Sequence, residues 1–482
     1  MPQTRKLEIF SPGSFDNNNH FYPKVLNAEL HPLVRYFMSL SKDRIINRYC
    51  HLNPRVNAIA LGDYLNYKCR YLKWAGADLF QVTTSGGQKQ TVVIETNSCP
   101  SGQKSMPMSD EFDGKKGYRL VLENSFVSML RSKKNSSGLL AVLYDKNHME
   151  ASGYAATMAD VFDEDVYLVP CFQDDWMDFS RYSEDRVLEI KINQKWQPVR
   201  AAMRYVTQKP WSRIPVVTKT RILNPVVGCM AGGRNKLVAA KAYELFNAQS
   251  FEHGLKINTP HTVYDVSKIE VPLVIKTLGG KGVVKVPYSN AGQGVFTITS
   301  QRELDQFMKD EFVYDQFIVQ ALIGNSEWSS TCPDGQLYHV GTVPDKKNEI
   351  YVADMRLMVT SGDKGFWPVG FYARKALKPL SKELKGAEES WDMLGTNLSV
   401  KLGEDKWSSE TNRLMLMDRK DFNILGVGID ELIDSYIQTV MATIAIDQMA
   451  QNLIGEKGGL KRKLFRSLNK DDSFIGEIYD YQ

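Results

Sequence analysis

The sequence predicts a mixed fold of α+β and α/β character, on three observations. GLLAVLYD, the stretch from His148 to Phe162, and DVYLVP read as strand, helix and strand. β-Hairpins flank this unit on both sides. Leu432, Ile433, Tyr436, Ile437, Val440 and Ile444 mark one face of a long helix near the C-terminus.

The 482 residues, at roughly 150 per domain, suggest about three domains or one multi-lobed enzyme. Hydrophobic residues make up 43%, charged 24% and aromatic 11%, ordinary usage that excludes a disordered, collagen-like or coiled-coil chain. A formal charge of +4 announces neither a nucleic acid nor a membrane partner. No apolar run approaches the roughly 20 residues that cross a bilayer, and MPQTRKLEIFSPG lacks the apolar centre of a signal peptide. A soluble, cytoplasmic protein is expected. Cys50, Cys69, Cys99, Cys171, Cys229 and Cys332 show no CxxC pair and no histidine at zinc spacing, so free thiols in a reduced compartment are expected.

Along the chain, the first 70 residues read as helical, with apolar positions at Leu33, Val34, Phe37, Met38 and Leu40. From Gly76, ADLFQVTTSGGQKQTVVIETN is two β-rich runs joined by Ser-Gly-Gly, an antiparallel hairpin ending in the loop NSCPSGQKSMP. The βαβ region runs from about Ser136 to Pro225, and GGRNKLVAAKAYELF reads as a helix with a glycine-rich start. KINTPHTVY reads as the end of a helix and then a strand, and PLVIKTLGGKGVVKVPYSNAGQGVFTI as alternating strands and glycine loops. SQRELDQFM reads as a Ser-capped helix, and VYDQFIVQALIG as a strand. EWSSTCPDGQLYHVGTV and IYVADMRLMVTSGDKGFWPVGFYARKA are expected to be hairpins around Pro-Asp-Gly and Gly362. After Asn397 the chain reads as almost all helix, closing on a strand-like FIGEIYDYQ; the basic tail Lys461, Arg462, Lys463 and Arg466 is most simply a solvated helix face.

The sharpest chemical signal is VVKVPYSNAGQGVFTI, where a strand delivers Lys285 and a loop with Ser289, Gly292 and Gly294 follows. Glycines let backbone amides approach a polyphosphate, and a strand lysine adds a point charge. The spacing is not that of a Walker loop, which needs GxxxxGK and a helix.

The order of segments around this loop resembles the ATP-grasp superfamily: Asn235-Lys236 opening a helix, the glycine loop, FIVQALIGNSEW, DMR, YARKA and GTNLS. The resemblance implies two α+β lobes clasping ATP, with Lys236 and Lys285 as phosphate ligands and Ser289 to Gly294 as a loop closing over the phosphates. Gln320, Ala321 and Ile323 would form the hinge that hydrogen-bonds adenine, with Gln320 replacing the usual glutamate, and Glu327 would hold the ribose. Arg356 and Arg374 correspond to the arginines that contact the γ-phosphate and the acyl phosphate; the alternative for Arg356 is a surface ion pair with Asp354. Arg356, Arg374 and Lys285 are thus the candidate catalytic residues.

The family's metal hairpin is expected downstream of GTNLS, where no Glu-x-Asn stands. GADLFQVTTSGGQKQTVVIETNSCPSG resembles it instead, with Asp78, Glu95 and Asn97 as oxygen ligands for Mg²⁺. Glu-x-Asn on a strand sends both side chains to one face. The arrangement therefore resembles a circularly permuted ATP-grasp chain, as in eukaryotic glutathione synthetase and glutathionylspermidine synthetase. It implies N-terminal helices and the permuted hairpin in 1–135, a βαβ pre-ATP-grasp domain in 136–258, a lid lobe in 259–320, and the catalytic lobe with C-terminal helices in 321–482.

For substrate, SCPSGQKS offers Ser101, Gly102 and Lys104 as a cradle for a carboxylate or acyl phosphate, Arg204 is a further carboxylate candidate, and Asn397 lies in the TNL segment. Cys99 has no placed activator and reads as a packed thiol. The resemblance implies an ATP- and Mg²⁺-dependent, ADP-forming carboxylate–amine ligase acting on amino-acid or small carboxylate substrates through an acyl phosphate. A carboxylate–thiol ligase, a small-molecule kinase and an ATP-binding regulatory module remain alternatives. Small-molecule partners are expected, without nucleic acid or membrane, and a homodimer is left open.

Overall fold

The computed structural model describes residues 5–108, 116–131, 137–289, 292–384, 390–401 and 407–479. Three larger sheets carry the architecture. In the first, Val166–Pro170, Leu139–Tyr144, Lys195–Tyr205 and Arg221–Leu223 run parallel, and helix His148–Phe162 makes the crossover. Leu139–Tyr144 is a continuous apolar run because both of its faces are covered: Leu140 and Val142 enter one core, Ala141 and Leu143 the other.

The second sheet is antiparallel, in the order Thr262–Ser267, Gln316–Gln320, Gly282–Lys285, Val295–Ile298. The third joins Trp74–Thr84 to Lys89–Ser98 on one side and Ala353–Gly362 on the other, and continues through Gly365–Lys375. Away from two register shifts, its strands alternate. Ala77, Leu79, Met355, Leu357, Phe371 and Ala373 point into the main core, where helix Ile429–Leu453 lies across them. Phe37 wedges edge-on between Phe371 and Tyr436, with centroids at 5.8 and 6.2 Å. The alternate residues are left to face the other way.

Several expectations need correction. PLVIKT is not a strand but part of helix Val271–Thr277: proline stands in its first turn, and Val271 and Ile275 are buried at helical spacing. FIGEIY is likewise helical, in Asp472–Tyr479, with Phe474, Ile475 and Ile478 buried; the closing Asp480 to Gln482 lie outside the described residues. The Pro-Asp-Gly segment makes no hairpin of its own, because Leu337–His339 pairs with Val82 to Thr84 instead. The N-terminal region opens with the strand Glu8–Phe10 before its helices. After Asn397 come the short strands Ser399–Lys401, Trp407–Ser409 and Leu414–Met415. KINTPH is not helical; it is irregular chain leading into Thr262–Ser267. All six cysteines are free. Among the described residues no helix is long and apolar enough to cross a membrane.

One buried carboxylate ties the long helix to the entry of the third sheet. Asp447 accepts from the backbone amides of Arg70 (3.1 Å), Tyr71 (2.6 Å) and Leu72 (2.8 Å), and from the Tyr67 hydroxyl (3.1 Å). Replacing it would leave these donors unsatisfied in the interior. Asp447→Ala is expected to cost about 3 kcal/mol or more, read as a fall in the thermal midpoint; a wild-type midpoint would show the clamp to be dispensable.

Candidate active site

The outward face of the third sheet forms the floor of a cleft of about 920 Å³. Cross-strand register builds a row of side chains there: Glu95 opposite Asp78, Asp78 opposite Arg356, Arg356 opposite Tyr372. Arg374 stands opposite Asp354 in the next row. Glu95 reaches the cleft through a bulge, since register shifts between Asp78, opposite Glu95, and Leu79, opposite Val93. Unbroken alternation would put Val93 and Glu95 on one face; the unopposed Ile94 lets Val93 enter the core while Glu95 turns into the cleft.

The two arginines are held by carboxylates. Arg356 binds Asp78 bidentately, Nε to Oδ1 at 2.5 Å and Nη2 to Oδ2 at 2.7 Å. Arg374 binds Asp354, with Nε to Oδ1 at 2.9 Å and a second contact from Nη2, and also reaches Asp78 at 3.0 Å. The partner of Arg356 is therefore Asp78 and not Asp354, and the pair is no surface feature: the two side chains are 13% and 11% exposed. Burial raises the Asp78 carboxyl, but Arg356 and Arg374 outweigh it and hold it below the ordinary carboxylate range. Asp78, expected as a metal ligand, has both oxygens engaged by guanidinium groups.

Facing this floor are two lysines. Lys285 ends the strand Gly282–Lys285, is 5% exposed, and makes no hydrogen bond or ion pair among the described residues. Burial pushes its ammonium down to about 8, against the pull of Glu95. Lys236, in the first turn of helix Lys236–Ser250, donates to the Ser289 carbonyl at 2.7 Å and lies 3.4 Å from Glu95 Oε1. Ser289 and Gly292 line the cleft. Gly294 closes the loop base at φ +66°, where a Cβ would stand 2.9 Å from Val286 Cβ. Asn290 and Ala291 of the same loop lie outside the described residues.

At one end the cleft turns apolar, with Phe80, Ile94, Val283 and Leu322 beside Gln320, Ala321 and Ile323. The Gln320 amide donates to Thr262 Oγ1 at 2.9 Å. The serine hydroxyls of Ser330 and Ser329 take the Leu322 and Gly324 amides. His339 meets Phe80 edge-on at 4.5 Å, and burial pushes its ring down to about 3, so it is neutral. Glu327 does not join this group: Asn325 Oδ1 accepts from the Glu327 and Trp328 amides, and that Asx turn leaves Glu327 exposed and outside the cleft.

The remaining sequence candidates divide. Ser101, Lys104 and Asn397 line the cleft, whereas Gly102 does not. The cradle expected at Ser101 and Gly102 is filled by the chain itself, since the buried Glu150 carboxylate accepts from Ser101 Oγ and from the Gly102 and Gln103 amides at 2.9 to 3.1 Å. Arg204 is 1% exposed and outside the cleft; its guanidinium donates to the Asn224 and Val206 carbonyls and to Ser98 Oγ. A substrate carboxylate has no route to it. Cys99 is fully buried, its thiol donating to the Arg204 carbonyl and pushed up by burial. Sequence reasoning missed Tyr372, Lys146, Arg234, His339 and Trp391, and set Asp354 beside Arg356 where its partner is Arg374. Tyr372 stands two residues before Arg374, so strand alternation was a usable signal.

For a divalent cation, Glu95 and Asn97 offer oxygen donors on one strand facing the cleft. The buried Asn97 Nδ2 has no hydrogen-bond partner among the described residues. No group of three or more His, Cys, Asp or Glu converges among the described residues. The two donors suit an Mg²⁺ ion that takes its other ligands from phosphates and water, and not a cation caged by protein alone.

No protein-family model matches the chain, and no curated protein matches it. Solved structures similar to it are ATP-grasp proteins. They include a glutathione synthetase-like effector from Globodera pallida, at 10% identity over 71% of this chain and 81% of that one, with a TM-score of 0.38. A RimK-domain ATP-grasp protein from Sphaerobacter thermophilus matches at 12% identity, over 48% and 89%, with a TM-score of 0.29. D-alanyl-alanine synthetase A from Vibrio cholerae matches at 9%, over 48% and 88%, at 0.29.

If Asp78 serves chiefly to neutralise the two arginines, its loss should destabilise the metal-free protein. Asp78→Ala is expected to cost about 3–5 kcal/mol, the penalty for stripping one partner from a buried ion pair, measured by urea unfolding in chelator. Unchanged stability would return Asp78 to a role in metal binding alone.

Proposed function

We propose that the protein is an ADP-forming carboxylate–amine ligase of the ATP-grasp type, circularly permuted, and that its activated intermediate is an acyl phosphate. The observation that carries this reading is one cleft in which Lys236, Lys285 and the glycine loop face Arg356 and Arg374, with Glu95 and Asn97 beside them. The apolar end at Val283, Leu322 and Ile323 suits adenine, and the glycine loop with Lys236 and Lys285 suits a triphosphate. The permutation is supported by connectivity: the Glu95 hairpin precedes the glycine loop in sequence yet shares a sheet with Arg356, which follows it. Under the same reading 1–135 and 321–482 build the catalytic lobe, 136–258 the pre-ATP-grasp domain and 259–320 the lid.

A substrate carboxylate oxygen attacks the γ-phosphorus and ADP leaves; an amine then attacks the acyl carbon and expels phosphate, losing a proton. Lys285 and Lys236 orient the phosphates, and Arg356 and Arg374, already fixed by Asp78 and Asp354, neutralise the transferring phosphoryl group. Mg²⁺ held by Glu95 and Asn97 would supply charge neutralisation on the phosphate oxygens. No protein nucleophile enters, so the packed state of Cys99 is expected.

The products decide the reaction type. ADP and inorganic phosphate should appear in equal amounts, and hydroxylamine should trap the carboxylate as a hydroxamate. AMP with pyrophosphate would overturn the reading, and a phosphorylated alcohol without free phosphate would make the protein a kinase.

Lys285 gives a second test. Its free ammonium titrates at about 8, so at about pH 9 it is mostly neutral, and a polyphosphate beside it favours the charged form. Nucleotide binding should then take up about one proton and weaken as pH rises above that value. Binding heats that vary with buffer ionisation enthalpy in the wild type, but not in Lys285→Met, would show this; buffer-independent heats would remove Lys285 from the phosphate site.

A further inference from the structure

A further wall of the cleft is built differently and carries cations that the phosphate site does not use. It is formed where the parallel strands Val166–Pro170, Leu139–Tyr144 and Lys195–Tyr205 end: Gln173, Lys146, Asn147, Thr207 and Gln208, from the segments after these ends, all line the cleft. Carboxyl ends of parallel strands are where open α/β sheets hold ligands, because neighbouring loops part there.

Lys146 is the centre of this wall. It makes no hydrogen bond or ion pair among the described residues. The charged groups facing it are Arg234, Arg356, Lys104 and Asp145. Lys104 is fixed beside it by a bond from Nζ to Asn147 Oδ1 at 3.2 Å, and Arg234 is held by its bond to the Ser98 carbonyl at 3.2 Å. The nearby carboxylates are engaged elsewhere. Asp145 accepts from the Thr207 and Gln208 amides and from Arg213, and Glu150 from Ser101, Gly102 and Gln103. Burial therefore pushes the Lys146 ammonium down to about 7, with Arg234 acting in the same direction and Asp145 against it. Lys104 and Arg234 are buried and Lys146 is half-buried, and cations grouped in this way are unfavourable until an anion joins them.

We propose that the substrate of this cleft is a dicarboxylate: one carboxylate is activated beside Arg356 and Arg374, and a second, remote one is held by Lys146, Lys104 and Arg234. This rests on the ligase reading for the first carboxylate and on the geometry of the parallel-strand wall for the second. The neutral donors Gln173 and Gln208 would contact the chain between the two ends.

The test uses the full chain and limited lysine labelling read by mass spectrometry at neutral pH. Succinate, glutarate and adipate are compared with acetate and with inorganic phosphate as protecting probes. At least one dicarboxylate should slow labelling of Lys146 several-fold at a concentration where acetate does not. Lys146→Met should weaken that dicarboxylate about tenfold in calorimetric titration, as expected for one charged hydrogen bond, and Lys146→Arg should restore most of it. Equal effects of acetate and all three dicarboxylates would overturn the proposal, and stronger protection by phosphate would assign the wall to a phosphate-bearing substrate instead. A non-hydrolysable ATP analogue should protect Lys285 and spare Lys146; equal protection of both would assign Lys146 to the nucleotide. If the analogue protects neither while a dicarboxylate protects Lys146, the ATP reading fails and the anion site stands.

Discussion

The site depends on the pairing of Trp74–Thr84 with Ala353–Gly362, strands that lie far apart in sequence. That register is set by apolar residues, not by the charged ones. Ala77, Leu79, Met355 and Leu357 must all meet the long helix, and a slip of one residue would turn them outward and drive Asp78 and Arg356 into the core. The Asp78–Arg356 and Asp354–Arg374 pairs are thus a consequence of core packing. Two carboxylates and two guanidinium groups lie together there, which lets the buried floor of the cleft carry them.

Arginines and lysines divide the electrostatic work of the cleft. A guanidinium stays charged when buried, so it needs a counter-charge, and its planar fork accepts one in fixed geometry. An ammonium without a partner instead lowers its pKa, as Lys285 and Lys146 do. The arginines are therefore already oriented before any ligand arrives, and the lysines adjust their charge to what binds. Positioning lies with the sheet, adaptability with the loops and strand ends around it.

Much of this was legible in sequence where local pattern and chemistry coincide. The Asp78/Glu95 hairpin, the βαβ unit and the Lys285 strand follow from period-two alternation and glycine placement. The partner of Arg356 was not legible, because cross-strand neighbours between distant segments leave no local trace; the bulge at Ile94 was hidden for the same reason. Arg204 misled because an arginine in a strand looks the same whether its fork meets solvent or three buried acceptors. The filling of the Ser101 and Gly102 cradle depends on Glu150 from a helix in another region. Lys146 was missed although it stands just past a parallel strand, a position whose value appears only once the strand's neighbours are known.

The C-terminal helices, which contribute no side chain to the chemistry proposed above, still reach the phosphate loop. Tyr288 immediately precedes Ser289; its ring stacks on Phe474 at 3.7 Å and 6°, and its hydroxyl donates to Asn469 Oδ1 at 2.8 Å. The loop base is closed by the Val286 amide bonding the Gly294 carbonyl at 2.7 Å, and the Lys236 amide bonds the Pro287 carbonyl at 3.0 Å. One end of the loop is thus pinned to the last two helices and to the Lys236 helix, while Gly292 stands against Trp391 and Asn397 on the opposite wall. The lysine-bearing base of the loop is thereby fixed from two directions. This also explains why Phe474 is wholly buried: the segment that reads as a strand is a helix on which the loop's fixed end rests.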